Sequence, residues 1–148
     1  IPASFRRVIE EGDPDFTADL NPSCVLVYGR KGRNCLEGYS ITSMTEVDDL
    51  VSRLPRYSRN REILERILNS QSVYSQIDDN GRLVLSARLR ELVDIKNQAV
   101  LVGMGDKFQI WEPDAYAADM KDIDDQLSSL DDVSNLFALL DSSTQRSL

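Results

Sequence analysis

Apolar residues in this chain follow two spacings. Short continuous runs, Cys24-Val25-Leu26-Val27-Tyr28, Leu83-Val84-Leu85 and Ala99-Val100-Leu101-Val102, have the length of buried strands. Val73-Tyr74-Ser75-Gln76-Ile77 alternates with period two, as a half-buried strand does. Residues 34–40 and 107–112 return as partner strands and make two hairpins, with Trp111 half-buried. Helical spacing takes over elsewhere. Val47, Leu50, Val51 and Leu54 recur at i, i+3, i+4 and i+7, with Thr45 as cap and Pro55 as stop. A second helix from about Ser58 is expected to bury Ile63, Leu64, Ile67 and Leu68. Residues 1–9 read as a strand end and a short helix, and Leu89, Leu92 and Val93 form the apolar face of another. Pro113-Asp114 opens a helix that should bury Tyr116, Met120, Ile123 and Leu127. Val133, Leu136, Phe137 and Leu140 give a short amphipathic helix whose apolar face needs a partner, either the body of the domain or a neighbouring subunit. Residues 141–148 are expected to be disordered.

The pattern repeats. Ile1-Pro2-Ala3-Ser4-Phe5-Arg6-Arg7-Val8-Ile9 aligns with Leu85-Ser86-Ala87-Arg88-Leu89-Arg90-Glu91-Leu92-Val93. Further on, Cys24–Tyr28 aligns with Ala99–Gly103, and the same ungapped register sets Asn34-Cys35-Leu36-Glu37 on Gln109-Ile110-Trp111-Glu112. The acidic stretch Glu10–Phe16 is extra in the first copy. Two copies are too few for a solenoid. They point to one pseudo-symmetric domain in which each copy covers the other's apolar face.

Asp78-Asp79-Asn80-Gly81 is dense in turn formers, and Gly81 can take the positive φ that a tight reversal needs. Arg82, Arg88 and Arg90 flank the apolar run that follows. An arginine straight after a rigid turn is positioned, and arginine suits phosphates and guanine edges. Taken alone, the stretch reads more readily as a solvated turn with ordinary surface arginines, since short motifs often match by chance. The hairpin tip Gly29-Arg30-Lys31-Gly32-Arg33 is basic too, but its aligned counterpart Met104-Gly105-Asp106-Lys107 is not, which favours a structural role for the tip.

Together, Asp78-x-x-Gly81-Arg82, the Leu89-Arg90 pair, the Val-Leu-Val strand and Phe108-Gln109-Ile110-Trp111-Glu112 resemble the second SpoVT-AbrB-type half of the MraZ family. These are bacterial transcriptional regulators linked to the division and cell-wall gene cluster. The opening Ile1–Arg7 resembles the stretch just after the family's first Asp-x-x-Gly-Arg motif. A longer parent carrying a further strand and that turn ahead of Ile1 is therefore expected.

The resemblance spans roughly residues 1–116. It implies an α+β, mainly β fold: a pseudo-two-fold swapped-hairpin, double-split β-barrel of AbrB type with flanking helices. The halves fall at residues 1–44 and 73–116, with connecting helices at 45–72 and an acidic helical tail at 117–148. Carried over by alignment, the DNA-facing residues are Arg82 and Arg90 in the second copy and Arg6 and Arg7 in the first. Arg88 sits in the same turn without a family match. Asp78 and Gly81 structure the loop. The implied partners are double-stranded promoter DNA and further copies of the chain, with rings among the family's assemblies. The implied location is cytoplasmic and nucleoid-associated, with no cofactor, metal or membrane.

Charge qualifies this picture. The net charge of −8 argues against nucleic acid when taken as a total. Residues 114–148, however, hold eight aspartates against Lys121 and Arg146, so residues 1–113 carry only −2. Local potential governs binding, and the basic residues cluster. No histidine is present, which removes the commonest general base and metal ligand. No nucleophile–base pair or phosphate loop stands out, so the reading is a non-enzyme. Cys24 and Cys35 lie in apolar strands and read as core residues, not as a disulfide or metal pair. The competing reading is an interaction or assembly module on an AbrB-like barrel that does not bind DNA.

Overall fold

The computed structural model describes residues 1–17, 19–28, 34–128 and 134–140. The basic tip at 29–33, the tail at 141–148 and Val133 lie outside the described residues. The chain divides into two units, Ile1–Pro113 and Asp114–Leu148.

In the first unit the element order is α1 (Ala3–Glu11), β1 (Ser23–Val27), β2 (Cys35–Ser40), α2 (Ile41–Ser52), α3 (Arg59–Ser70), β3 (Ser72–Gln76), α4 (Ala87–Leu92), β4 (Val100–Met104) and β5 (Lys107–Trp111). The five strands make one antiparallel sheet in the order β3-β1-β2-β5-β4. The expected α+β character holds, but the chain is not mainly β, since more residues lie in helices than in strands. The sheet of described strands is open, with β3 and β4 at its edges. Its centre is the seam where the two hairpins meet, β2 against β5. β3 leads into the second helix–hairpin run, yet it pairs with β1 of the first.

Both faces of β1 are covered, which is why its sequence is an unbroken apolar run. Cys24 and Leu26 face a core shared with Ile9 of α1, Leu89 of α4, Val93, Ile95, Phe108 and Ile110. Val25 and Val27 face a second cluster with Met44 of α2, flanked by Ile67 and Leu68 of α3. Burial pushes the Cys24 thiol up to about 12. Cys24 and Cys35 are both buried and are not joined in a disulfide.

The second hairpin closes on two residues, Gly105-Asp106, between the paired Met104 and Lys107. Gly105 takes φ +76 at the first central position, as a type II′ turn requires. This short turn breaks the ungapped repeat register. Leu26 and Leu101 do pack in one core, but Leu36 shares that core with Phe108 and Ile110, and Trp111 points to the opposite face. Trp111 is fully buried, not half-buried, and its Nε1 donates to Gln109 Oε1 at 3.0 Å.

Other expectations need correction. The cap of α2 is Ser40, whose Oγ accepts from the Ser43 N–H at 3.1 Å, so the helix begins four residues before Thr45. Helical phase then buries Met44 and Val51 and leaves Leu50 59 % exposed. α3 starts at Ser58 as its cap, but Ile63 and Leu64 are exposed because only Ile67 and Leu68 reach the sheet. Leu83-Val84-Leu85 is not a strand. Only Leu83 makes a bridge, to Ile77, and Val84 is exposed. Leu92 is likewise exposed.

The seam also holds a buried ion pair. Glu37 Oε2 accepts from Lys107 Nζ at 3.0 Å and from the Tyr39 hydroxyl at 3.1 Å. Burial and the Glu37 charge raise the Tyr39 pKa. Burial pulls the Lys107 pKa down, but the hydrogen bond to Glu37 and the charges of Tyr39 and Glu37 outweigh it, so the net shift is upward.

The second unit contains most of α5 (Pro113–Gln126), and residues 134–140 are helical. Within it Ile123, Leu127, Leu136 and Leu139 line an apolar cleft. Phe137 is exposed. Among the described residues no helix is long and apolar enough to cross a membrane.

Candidate nucleic-acid interface

The turn at 78–82 is built on a buried foundation. Ile77 is fully buried, and its N–H donates to the Pro22 carbonyl at 3.0 Å. The bridge from Ile77 to Leu83 closes the base of the loop. Within it, the Asp78 N–H donates to the Arg82 carbonyl at 2.9 Å and the Gly81 N–H to the Asp78 carbonyl at 3.0 Å. Asp78 Oδ1 accepts from the Asn80 N–H at 2.9 Å and the Arg82 N–H at 2.8 Å. This is an Asx turn extended by one more donor. Gly81 takes φ +75, a conformation that costs other residues strain. The backbone N–H and carbonyl of Arg82 are therefore both held within the turn, while the residue is exposed to solvent.

The other arginines divide by partner. On α3, Arg59 and Arg66 both pair with Glu62, at 3.1 Å and 2.7 Å, and Arg61 pairs with Glu65 at 2.8 Å. On that helix face every arginine is paired, with Glu62 shared between two of them. Among the described residues, Arg7, Arg53, Arg56, Arg82, Arg88 and Arg90 have no carboxylate within ion-pair distance, and all six are exposed; of these, Arg82, Arg88 and Arg90 cluster at the turn and α4. Arg90 lies on α4, whose cap Ser86 accepts from the Leu89 N–H at 3.3 Å. Arg88 sits 5.7 Å from the centre of the Tyr28 ring, in cation–π range at the end of β1.

Arg6 behaves differently. Its Nη1 donates to the Asp78 carbonyl at 2.5 Å and its Nε to Glu10 Oε1 at 2.9 Å. The structure thus brings one arginine of α1 onto the 78–82 turn, 72 residues away in sequence. Ile1 N also donates to the Gly81 carbonyl, at 2.6 Å. The sequence reading had no signal for this cross-contact beyond the alignment of α1 with α4. The Glu10 spacing, four residues after Arg6, is the one local cue.

Among the described residues no group of histidine, cysteine, aspartate and glutamate is placed to hold a metal. What the site offers is a rigid, exposed turn carrying unpaired guanidinium groups.

Comparison with known proteins places this arrangement. Residues 70–138, which include the turn, α4 and the second hairpin, match the family model described as "MraZ protein, putative antitoxin-like". A protein of Ruegeria sp. (strain TM1040) named "Transcriptional regulator MraZ" is 47 % identical over 116 residues, covering 78 % of this chain and 70 % of its own. The protein of the same name from Ruegeria pomeroyi is 45 % identical over 116 residues, with the same coverage. That of Parvibaculum lavamentivorans is 40 % identical over 119 residues, covering 80 % of this chain and 69 % of its own. With identity of this level over more than three quarters of the chain and about 70 % of each relative, the chain belongs to the MraZ family.

Proposed function

We propose that this chain is a transcriptional regulator that binds promoter DNA sequence-specifically through the arginines of the Asp78–Arg82 turn and α4. The observation that carries the reading is the contrast between paired and unpaired arginines. Those of α3 are paired with glutamates, whereas Arg82 and Arg90 have no carboxylate partner and Arg88 meets only the Tyr28 ring, all three clustered around a turn fixed by Asp78. The relatives' printed name, transcriptional regulator, agrees with it. Arg82, held by the turn, suits a bidentate contact to guanine. Arg90, on a helical turn, suits phosphate. Arg7 supplies a further exposed charge from α1.

The same reading makes the fold the AbrB-type swapped-hairpin arrangement. Its support is that β3 of the second half adds to β1 of the first. The halves then fall at 1–44 and 73–116, with a connector at 45–72 and an acidic tail at 117–148. The working form is a homo-oligomer, a ring in the fullest version, acting in the cytoplasm on repeats upstream of the division and cell-wall genes. The exposed apolar residues of the tail, such as Phe137, suit a subunit contact.

The net charge of −8 favours a second reading, an assembly module without DNA. A gel shift on the upstream region of the protein's own operon, repeated across a salt series, separates the two. Each phosphate contact adds about −0.9 to the slope of log affinity against log salt. A shifted band with such a slope supports DNA binding. No shift at low salt contradicts it.

A further inference from the structure

We propose that Arg6 is a positioning residue, a clamp by which the first half of the chain holds the DNA-reading turn of the second, and that it does not itself contact phosphate. The inference rests on the DNA-binding reading above. It assigns to Arg6 a different job from the one that alignment gives it.

Three observations carry it. First, the guanidinium is already engaged on two sides, by the Asp78 carbonyl at 2.5 Å and Glu10 Oε1 at 2.9 Å. Second, its side chain is only 23 % exposed, against the open positions of Arg7, Arg82 and Arg90. Third, the carbonyl it holds is the one that closes the turn. The Asp78 carbonyl also accepts from the Gly81 N–H at 3.0 Å, and Asp78 Oδ1 accepts from the Arg82 N–H at 2.8 Å. Arg6 therefore grips the residue that sets the backbone of Arg82. Glu10 fixes the guanidinium in the plane that reaches across. The guanidinium fork suits two simultaneous acceptors, which a lysine could not hold in the same geometry.

Arg6 and Arg90 align in the internal repeat, yet Arg90 is exposed and has no such partner among the described residues. Two arginines at equivalent helix positions thus do different work. One orders the turn, and the other remains available to a ligand.

Glu10→Ala gives opposite signs under the two possible roles. If Arg6 touched phosphate, removing its carboxylate partner would free it and delete a negative charge near DNA, so affinity would hold or rise. If Arg6 is a clamp, the guanidinium loses its orientation and cognate affinity falls, by about 3-fold, with about 10-fold for Arg6→Ala.

The experiment measures fluorescence anisotropy of a labelled operon duplex and a scrambled duplex with the parent chain, Glu10→Ala, Arg6→Ala, Arg82→Ala and the Arg6→Ala/Arg82→Ala pair. Amide exchange at Gly81 and Arg82 is followed by NMR in the same proteins without DNA. The clamp predicts weaker cognate binding for Glu10→Ala, an unchanged salt slope for Arg6→Ala, and little further loss when Arg6→Ala is added to Arg82→Ala. It also predicts faster exchange at Gly81 and Arg82 while core strand amides stay protected. Unchanged exchange at both amides, or a salt slope lowered by about one in Arg6→Ala, overturns it. If the parent binds neither duplex, the DNA reading fails by itself, and the exchange measurement still decides whether Arg6 holds the turn.

Discussion

Replacing Asp78 with alanine removes the carboxylate that accepts from two backbone donors inside the turn. Two backbone donors, the N–H groups of Asn80 and Arg82, lose their acceptor at 2.9 and 2.8 Å. Both lie at an exposed turn, so water can replace the carboxylate and the full cost of burying an unpaired donor does not apply. Each bond at this exposed site is then worth about 0.5–1 kcal/mol net, the lower part of the usual range, and the pair about 1–2 kcal/mol. Asp78→Asn is the control, since it keeps an Oδ1 acceptor and removes only the charge. The alanine variant should be less stable than the asparagine variant by about 1–2 kcal/mol in urea denaturation, with an unchanged m-value. Both variants are neutral at this position, so long-range charge cancels between them. Any difference in DNA affinity then reports the turn alone, with the alanine variant weaker by up to about 30-fold if the whole loss falls on the competent turn. Equal stability and equal affinity for the two variants would refute the claim that Asp78 orders Arg82.

Gly38 lies under the Phe108 ring, and a Cβ there would come within 2.2–2.7 Å of three ring atoms. Gly38→Ala should therefore destabilise by about 1–3 kcal/mol in thermal or urea melts, and Phe108→Leu in the same chain should recover part of it. Asp94 follows α4 at φ +57 and completes a Schellman closure, with the Ile95 N–H donating to the Arg90 carbonyl at 2.9 Å. Asp94→Gly should raise stability by about 0.5–1 kcal/mol, since glycine takes that conformation without strain. Cys24 is raised from 9.0 to about 12 by burial, so its contribution is intact below pH 9.0 and lost as pH rises toward 12. Tyr39 and Lys107 are also raised and act with the same sign. Denaturation midpoints should fall between pH 9 and 12, and Cys24 should react with thiol reagents only as fast as the chain unfolds.

Hairpins and helix existence were legible because both rest on local periodicity. The run at Cys24–Val27 is short, apolar and rich in β-branched residues, and the residues that follow return as a partner, which together fit a strand buried on both faces. Helix phase was less legible. Ser40 and Thr45 are both cap residues by type, and only the end of β2 decides between them. The Leu83–Leu85 run looked like a strand because three apolar residues in a row carry no information about a pairing partner. The positioned Arg82 was visible from the turn chemistry of Asp78 and Gly81. Arg6 was visible as a basic residue but not as a clamp, since its partner is a carbonyl far away in sequence. The Glu37–Lys107 pair escaped for the same reason, because it forms across the seam between hairpins.

The central claim is that a fixed turn presents Arg82 to bases. It is tested most directly by comparing Arg82→Ala with Arg90→Ala on one isolated operon box and its scrambled counterpart, which keeps avidity out of the measurement. The account predicts that Arg82→Ala loses about 1–3 kcal/mol on the cognate box with little change on the scrambled one. Arg90→Ala should weaken both alike and lower the salt slope by about one. If both variants bind the cognate box as the parent chain does, the DNA-reading face is not this turn, and the account is wrong.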